Sequence, residues 1–248
     1  MVPIAGAKPT DPEPLSALPL YSQRHQDEAE ARAYDKKFER GLLRRLGGRR
    51  EQSLVRRAVR QAWFERFGVW PEAGAPSPAP SLLDLPCGAG RFAPLLCSFK
   101  VRYHAGDFSR SMLLLCGEAL RRSGQIDRLA GLVHCDARNI PLPEQSLDLA
   151  CCLRLLHHFP LAADRAACLR SFRRILRGPL VIGFLDANAP KQRLHRVKRS
   201  LLGVPVRRSL LSRKELQEEA KAAGFHLQRT WSLSGWFSGQ SLALLLPR

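Results

Sequence analysis

From Ser81 onward, short apolar runs alternate with amphipathic segments, and no other feature restricts the fold so strongly. The pattern is that of a parallel sheet whose strands are joined by crossover helices. It predicts strands over 81–85, 101–106, 130–135, 147–152 and 179–185, with helices over 90–98, 109–123 and 162–176. Ser212, followed three residues later by Glu215, forms a capping box that opens a helix reaching Ala223, and Gly224 closes it. Two last strand-like runs, 226–233 and 240–246, are joined by a short segment rich in Gly and Ser, which favours antiparallel pairing. The expected fold is α/β: a mostly parallel, seven-stranded sheet with helices on both faces and an antiparallel C-terminal strand.

The chain before Ser81 has a different texture. Residues 1–20 hold five prolines and read as a disordered leader without the apolar core of a signal peptide. Residues 21–70 read as an N-terminal helical extension or lid, with Val55, Val59, Ala62, Trp63 and Phe67 at helical spacing. Gly47 and Gly48 are expected to divide it into two helices, over 23–46 and 51–67. Four prolines within 71–80 predict a stiff linker to a domain spanning 81–248.

Charge is distributed unevenly. Lys and Arg number 40 against 22 Asp and Glu, a net +18, and residues 187–214 hold nine basic residues and no acidic one. There Arg193, Arg196, Lys198 and Arg199 interleave with Leu194, Val197, Leu201 and Leu202, the composition of a basic amphipathic helix. Such a helix suits an anionic phospholipid surface or a lipid-linked anionic substrate, or it is a solvated rim. RNA is the less favoured partner, because this segment lacks aromatics for base stacking. Seven cysteines without a C-x-x-C pair read as buried reduced thiols of a cytoplasmic protein, with no zinc framework. No apolar run is long enough to span a bilayer, so any membrane contact is peripheral, at the inner surface.

The chemistry concentrates at the ends of the first three expected strands. Gly88 and Gly90 allow close backbone approach to a ligand where the first strand turns toward a helix. Asp84, just before them, would repel a pyrophosphate but attract a ligand bearing ammonium and sulfonium charges. Asp107, 17 residues after Gly90, can accept both hydroxyls of a ribose, and Asp136 ends the third strand. Three acids in register therefore line the sheet edge where open α/β folds bind ligands. Asp148 reads as a turn residue and Ser109 as a helix N-cap.

The series Leu83–Phe92, Gly106–Leu113, Asp136–Asp148 and Leu155–Phe159 resembles the Rossmann-like, class I S-adenosylmethionine-dependent methyltransferases, and among them the ubiquinone and menaquinone C-methyltransferase branch. The resemblance spans about 81–248. It implies S-adenosylmethionine as cofactor, with Asp84, Pro86, Gly88 and Gly90 around its methionine part and Asp107 on the ribose. It also implies Phe108 and Met112 beside the adenine, Asp136 and Ala137 near the adenine amino edge, and Leu153 facing the methyl group. Pro86 departs from the family, which has glycine there, and so lacks an amide donor. His157 and His158 are candidate catalytic bases or orienting groups. Arg154 and Asp186 are candidate substrate contacts, with Arg193, Arg196, Lys198 and Arg199 beyond them. The implied activity is methyl transfer to a small or lipid-linked anionic acceptor at oxygen or carbon. RNA methylation, or cofactor binding without turnover, are the alternatives.

Overall fold

A computed structural model describes residues 42–74, 76–193, 209–234 and 238–248, with backbone alone for 42–46 and 234. The leader, most of the expected helix over 23–46, and Arg196, Lys198 and Arg199 of the basic segment lie outside the described residues.

Seven strands form one sheet: β1 (Ser81–Asp84), β2 (Arg102–Asp107), β3 (Leu129–His134), β4 (Leu149–Cys152), β5 (Leu180–Leu185), β6 (Phe225–Ser234) and β7 (Ser238–Pro247). Their order is β3-β2-β1-β4-β5-β7-β6. The first five are parallel, while β7 runs antiparallel to both β5 and β6. Chain order reverses between β1 and β4, and the crevice beyond the strand ends at such a switch point is where open α/β sheets bind ligands.

Strand alternation sends side chains to two separate cores. On one face Leu82, Tyr103, Ala105, Cys151, Val181, Leu242 and Leu244 pack beneath the helices. On the other, Leu83, Ala150, Cys152, Leu180, Ile182, Ala243 and Leu245 do so. Helices α1 (Leu42–Phe67), α2 (Ala93–Cys97) and α3 (Arg110–Arg122) cover the first face. The second is covered by α4 (Ala162–Ile175) and α5 (Arg213–Ala222). The Ser212–Glu215 capping box opens α5 as expected, and all seven cysteines are buried and unpaired.

Two expectations are corrected. The segment over 90–98 yields a helix only at Ala93–Cys97, because Gly88 and Gly90 take φ of 53° and 81°, outside the right-handed helical region. Gly47 and Gly48 also fail to break α1, which runs through them. Tertiary packing overrides their low propensity: Val55, Ala58, Val59, Ala62 and Trp63 are all buried in the first core. The Trp63 ring sits 4.9 Å from Phe67 and 6.3 Å from Phe99 of the α2–β2 connection. Residues 42–67 and the sheet therefore share a core, across the proline-rich 71–80 stretch. Among the described residues no helix is long and apolar enough to cross a membrane.

A shared core has a measurable consequence. Trp63→Ala removes a fully buried ring and is expected to lower global stability by about 3 to 5 kcal/mol. Urea denaturation followed by far-UV dichroism should show one transition at a lower midpoint. Two transitions would show that α1 unfolds independently of the sheet.

Candidate active site

The turn after β1 is built from its contacts with β2 and α3. Leu85 and Pro86 are joined by a cis peptide; Cys87 N donates to Gly106 O at 2.8 Å, and Gly90 N to Cys87 O at 3.1 Å. A Cβ on Gly90 would lie 2.9 Å from both the Cys116 Cα and the Ala119 Cβ. Glycine is therefore required there twice over, by its positive φ and by the closeness of α3. At Gly88 the φ is also positive, but a Cβ would meet nothing within 4 Å among the described residues.

Asp107, at the end of β2, holds this loop. Its Oδ2 accepts from Gly88 N and its Oδ1 from Ser109 N, both at 2.9 Å. Burial pushes its carboxyl above the usual carboxylate range, against the pull of those amides. Ser109 caps α3, accepting from Met112 N at 3.3 Å, as the sequence suggests. Met112 and Leu115 form a small apolar cluster with Ala89 of the loop, and Phe108 lies 6.2 Å from the His134 ring.

Asp84 is almost completely buried at the end of β1. Its Oδ2 accepts from the Tyr103 hydroxyl at 2.8 Å, while Oδ1 has no hydrogen-bond partner among the described residues. Burial raises its pKa to about 7; the Tyr103 hydrogen bond opposes this rise and the nearby Asp107 carboxylate adds to it. A buried carboxyl with one unsatisfied oxygen beside an open glycine turn suits a cationic ligand that brings a donor and a positive charge together. The Cys87 thiol of the same loop is pushed well up by burial, which argues against a nucleophilic role.

Asp136 lies two residues past β3 rather than within it. Arg138 grips its carboxylate through Nε and Nη2 and bonds Asp164 Oδ1 through Nη1 at 2.8 Å. Ala137 beside it is buried. Beyond β4, Leu153 is buried, Arg154 takes φ of 62°, and His157 and His158 occupy a one-turn 3-10 helix with their rings 4.2 Å apart. Leu153, Arg154 and His157 line a pocket with Glu51, Phe184 and Ser241; His158 is not on its wall.

Asp186 does not join the site. It caps its own loop by accepting from Asn188 N and lies 3.6 Å from Arg213 Nε, off the pocket wall. Arg193 is exposed. Asp148, at the opposite sheet edge, accepts from Ser81 and Arg66 and ties β1 to β4, consistent with a turn role.

Three contributors escape a reading of the sequence by strand ends. Tyr103 looks like an ordinary strand aromatic until register sets it beside Asp84. Arg138 is hidden as one arginine among many. Glu51 was legible in principle, since it precedes Val55 and Val59 at intervals of four, placing an acid on the buried stripe of α1.

Residues 83–179 match the family model described as a methyltransferase domain. Among solved structures, the chain is similar to the magnesium protoporphyrin IX methyltransferase ChlM of Synechocystis PCC 6803 with bound SAH. The TM-score is 0.67 at 15% identity, covering 92% of this chain and 99% of that one. The same enzyme with bound SAM gives 0.65 at 15% identity, covering 95% and 100%. A possible histamine N-methyltransferase of Thermotoga maritima gives 0.55 at 17% identity, covering 89% and 98%. No curated protein matches by sequence. The match over 83–179 and the likeness to these structures show a Rossmann-like fold of the methyltransferase type.

The Asp84 environment makes a signed prediction. A folded pKa near 7 against 3.8 unfolded means that the native state holds the extra proton between those values. Stability from this group is therefore lost as pH rises from about 4 to 7, and the loss is complete above 7. Asp84→Asn removes that dependence. Relative to wild type, the variant should gain on the order of 4 kcal/mol between pH 4 and pH 8 in chemical denaturation. A constant difference across that range would contradict the assignment.

Proposed function

We propose that this protein methylates an anionic acceptor, small or lipid-linked, in the pocket bounded by α1, the end of β4, and β5 to β7. The observation that carries the reading is the link that Glu51 makes between two half-sites, bonding Arg91 beside the acid-lined glycine turn and Arg154 on the wall of a pocket shared with Leu153 and His157. The cofactor half fits this chain's residues. Asp84, with its unpartnered Oδ1, would take the ammonium of the methionine part. Asp107 would face the ribose hydroxyls; Met112, Leu115 and Ala89 give apolar surface for the adenine, with Asp136 and Ala137 at its polar edge. Pro86 contributes no amide, but Gly88 and Gly90 keep the turn open.

When bound, S-adenosylmethionine supplies a methyl group on positively charged sulfur, whose S–C bonding pair stays on sulfur while the acceptor's lone pair forms the new bond. The protein's part is alignment and charge. Leu153 and Phe184 exclude water from the pocket. Arg154 and His157 both line the pocket: in this reading Arg154 attracts an anionic acceptor, and His157 receives the proton that a hydroxyl or carbon acid gives up. His158, off the pocket wall with its ring 4.2 Å from that of His157, would be the orienting member of the pair. Resemblance to the quinone C-methyltransferases and the basic composition of 187–214 support an acceptor carried at an anionic membrane surface.

Incubation of the purified protein with methyl-labelled S-adenosylmethionine and separated lipid, small-molecule and RNA fractions tests this reading. Label is expected in anionic lipid or small-molecule products, and label in RNA alone would refute the acceptor class. Gly90→Ala, which drives a methyl group into α3, should weaken cofactor binding by at least tenfold in calorimetry. His157→Gln should lower kcat by about 10² to 10⁴ with little change in cofactor affinity. Unchanged turnover would remove His157 from the proton-transfer role.

A further inference from the structure

The acceptor pocket is occupied by the protein's own carboxylate. Glu51 stands on the buried stripe of α1, and both its oxygens are taken: Oε1 accepts from Arg154 Nε and Oε2 from Arg154 Nη2, each at 2.8 Å, while Arg91 Nη2 reaches Oε2 at 2.6 Å. The Arg154 contact is the two-point fork characteristic of guanidinium with a planar carboxylate. Both arginines belong to functional loops. Arg91 follows Gly90 of the glycine turn directly, and Arg154 follows Leu153 at the end of β4. Glu51 is thus the residue through which α1 touches the cofactor loop and the acceptor loop at once.

The pocket beside it is too small for an acceptor. Its volume of about 20 Å³ is room for a single water molecule. Ser241 on its wall is buried, with a hydroxyl that has no hydrogen-bond partner among the described residues. A buried polar atom is ordinarily satisfied, so its position on this wall points to a polar guest.

The helix that carries Glu51 is weakened just upstream. Gly47 and Gly48 lie inside α1 with φ outside the left-handed region, so backbone conformation does not demand glycine. Among the described residues space does not demand it either: a Cβ on Gly47 would meet nothing within 4 Å, and one on Gly48 would make ordinary contact with Arg91 at 3.6 Å. Two adjacent helical glycines without a steric reason lower the stability of that turn, three residues before Glu51.

From these observations, and resting on the methyl-transfer reading above, we infer that the Arg91–Arg154 pair is the carboxylate-binding subsite for the acceptor. Glu51 is its built-in occupant: the acceptor's carboxylate replaces the Glu51 carboxylate, and the glycine-weakened first turns of α1 yield to let it in. The substrate class narrows from an anion in general to a molecule with a carboxylate placed to reach Arg154. Glu51 acts as a specificity-determining residue, because a neutral acceptor would exchange the charge-assisted, two-point contact with Arg154 for a weaker one.

Calorimetry on the full-length protein saturated with S-adenosylhomocysteine tests this, with benzoate as carboxylate probe, benzamide as neutral isostere and phenylphosphonate as the tetrahedral anion. Glu51→Gln should tighten benzoate binding about tenfold or more and leave benzamide unchanged, and Arg154→Gln added to it should abolish the gain. The double variant Gly47→Ala/Gly48→Ala, which should fold at least as well as wild type, is expected to weaken benzoate binding by about tenfold through a stiffer gate. Benzoate affinity unchanged in Glu51→Gln, an equal gain for benzamide, or a gain confined to phenylphosphonate would each overturn the inference. If S-adenosylhomocysteine itself does not bind, the methyl-transfer reading falls and takes this inference with it. If it binds while benzoate is indifferent to Glu51, the inference alone falls.

Discussion

The structure depends on a turn that only glycine can make. Gly90 must accept a positive φ and the close backbone of α3 at once, and Gly88 must present its amide to Asp107. Those two demands bring β1, β2 and α3 together at one point. They leave Asp84 buried behind the turn, its carboxyl near neutrality and one oxygen unpartnered. Other site features are arranged around this point: the apolar cluster of Ala89, Met112 and Leu115 on one side, Arg91 and its link to α1 on the other.

Electrostatics here favour binding over stability. A carboxyl held at a pKa of about 7 by burial is destabilised in its charged form, and a cationic ligand relieves that penalty on binding. The Asp136–Arg138–Asp164 group is the contrasting case, with a buried guanidinium satisfied by two carboxylates and so able to hold the loop after β3 in one conformation. The same contrast separates the two ends of the sheet. At the opposite edge Asp148 is held below the usual carboxylate range: burial opposes this, and the hydrogen bonds from Ser81 and the Arg66 guanidinium outweigh it, which is the signature of a structural tie.

Much of this was readable in the chain. Strand periodicity located the five parallel strands to within a residue or two, and Ser212–Glu215 announced α5, because those signals are local. Asp84 and Asp107 were recognisable from their positions at strand ends. The role of α1 was less legible: two glycines and a proline-rich stretch read as breaks, yet burial of Val55, Val59 and Trp63 on the sheet prevails over local propensity. Tyr103, Arg138 and the contacts of Glu51, though not its place on the buried stripe of α1, were hidden for a common reason. Each acts on a partner fixed by register or by packing, 19 residues away for Tyr103 with Asp84 and 103 for Glu51 with Arg154. Asp186 shows the converse, an acid at a strand end that its own loop has already claimed.

The central claim is that the acid-lined glycine turn is built for a cation that charges Asp84 on arrival. Calorimetry of S-adenosylmethionine binding at pH 6.5, repeated in buffers of different ionisation enthalpy, reads this as protons released per ligand bound. The account expects roughly one half to three quarters of a proton released by wild type, from a carboxyl whose pKa near 7 falls on binding, and close to none by Asp84→Asn. Tight binding by wild type with no proton released would contradict it.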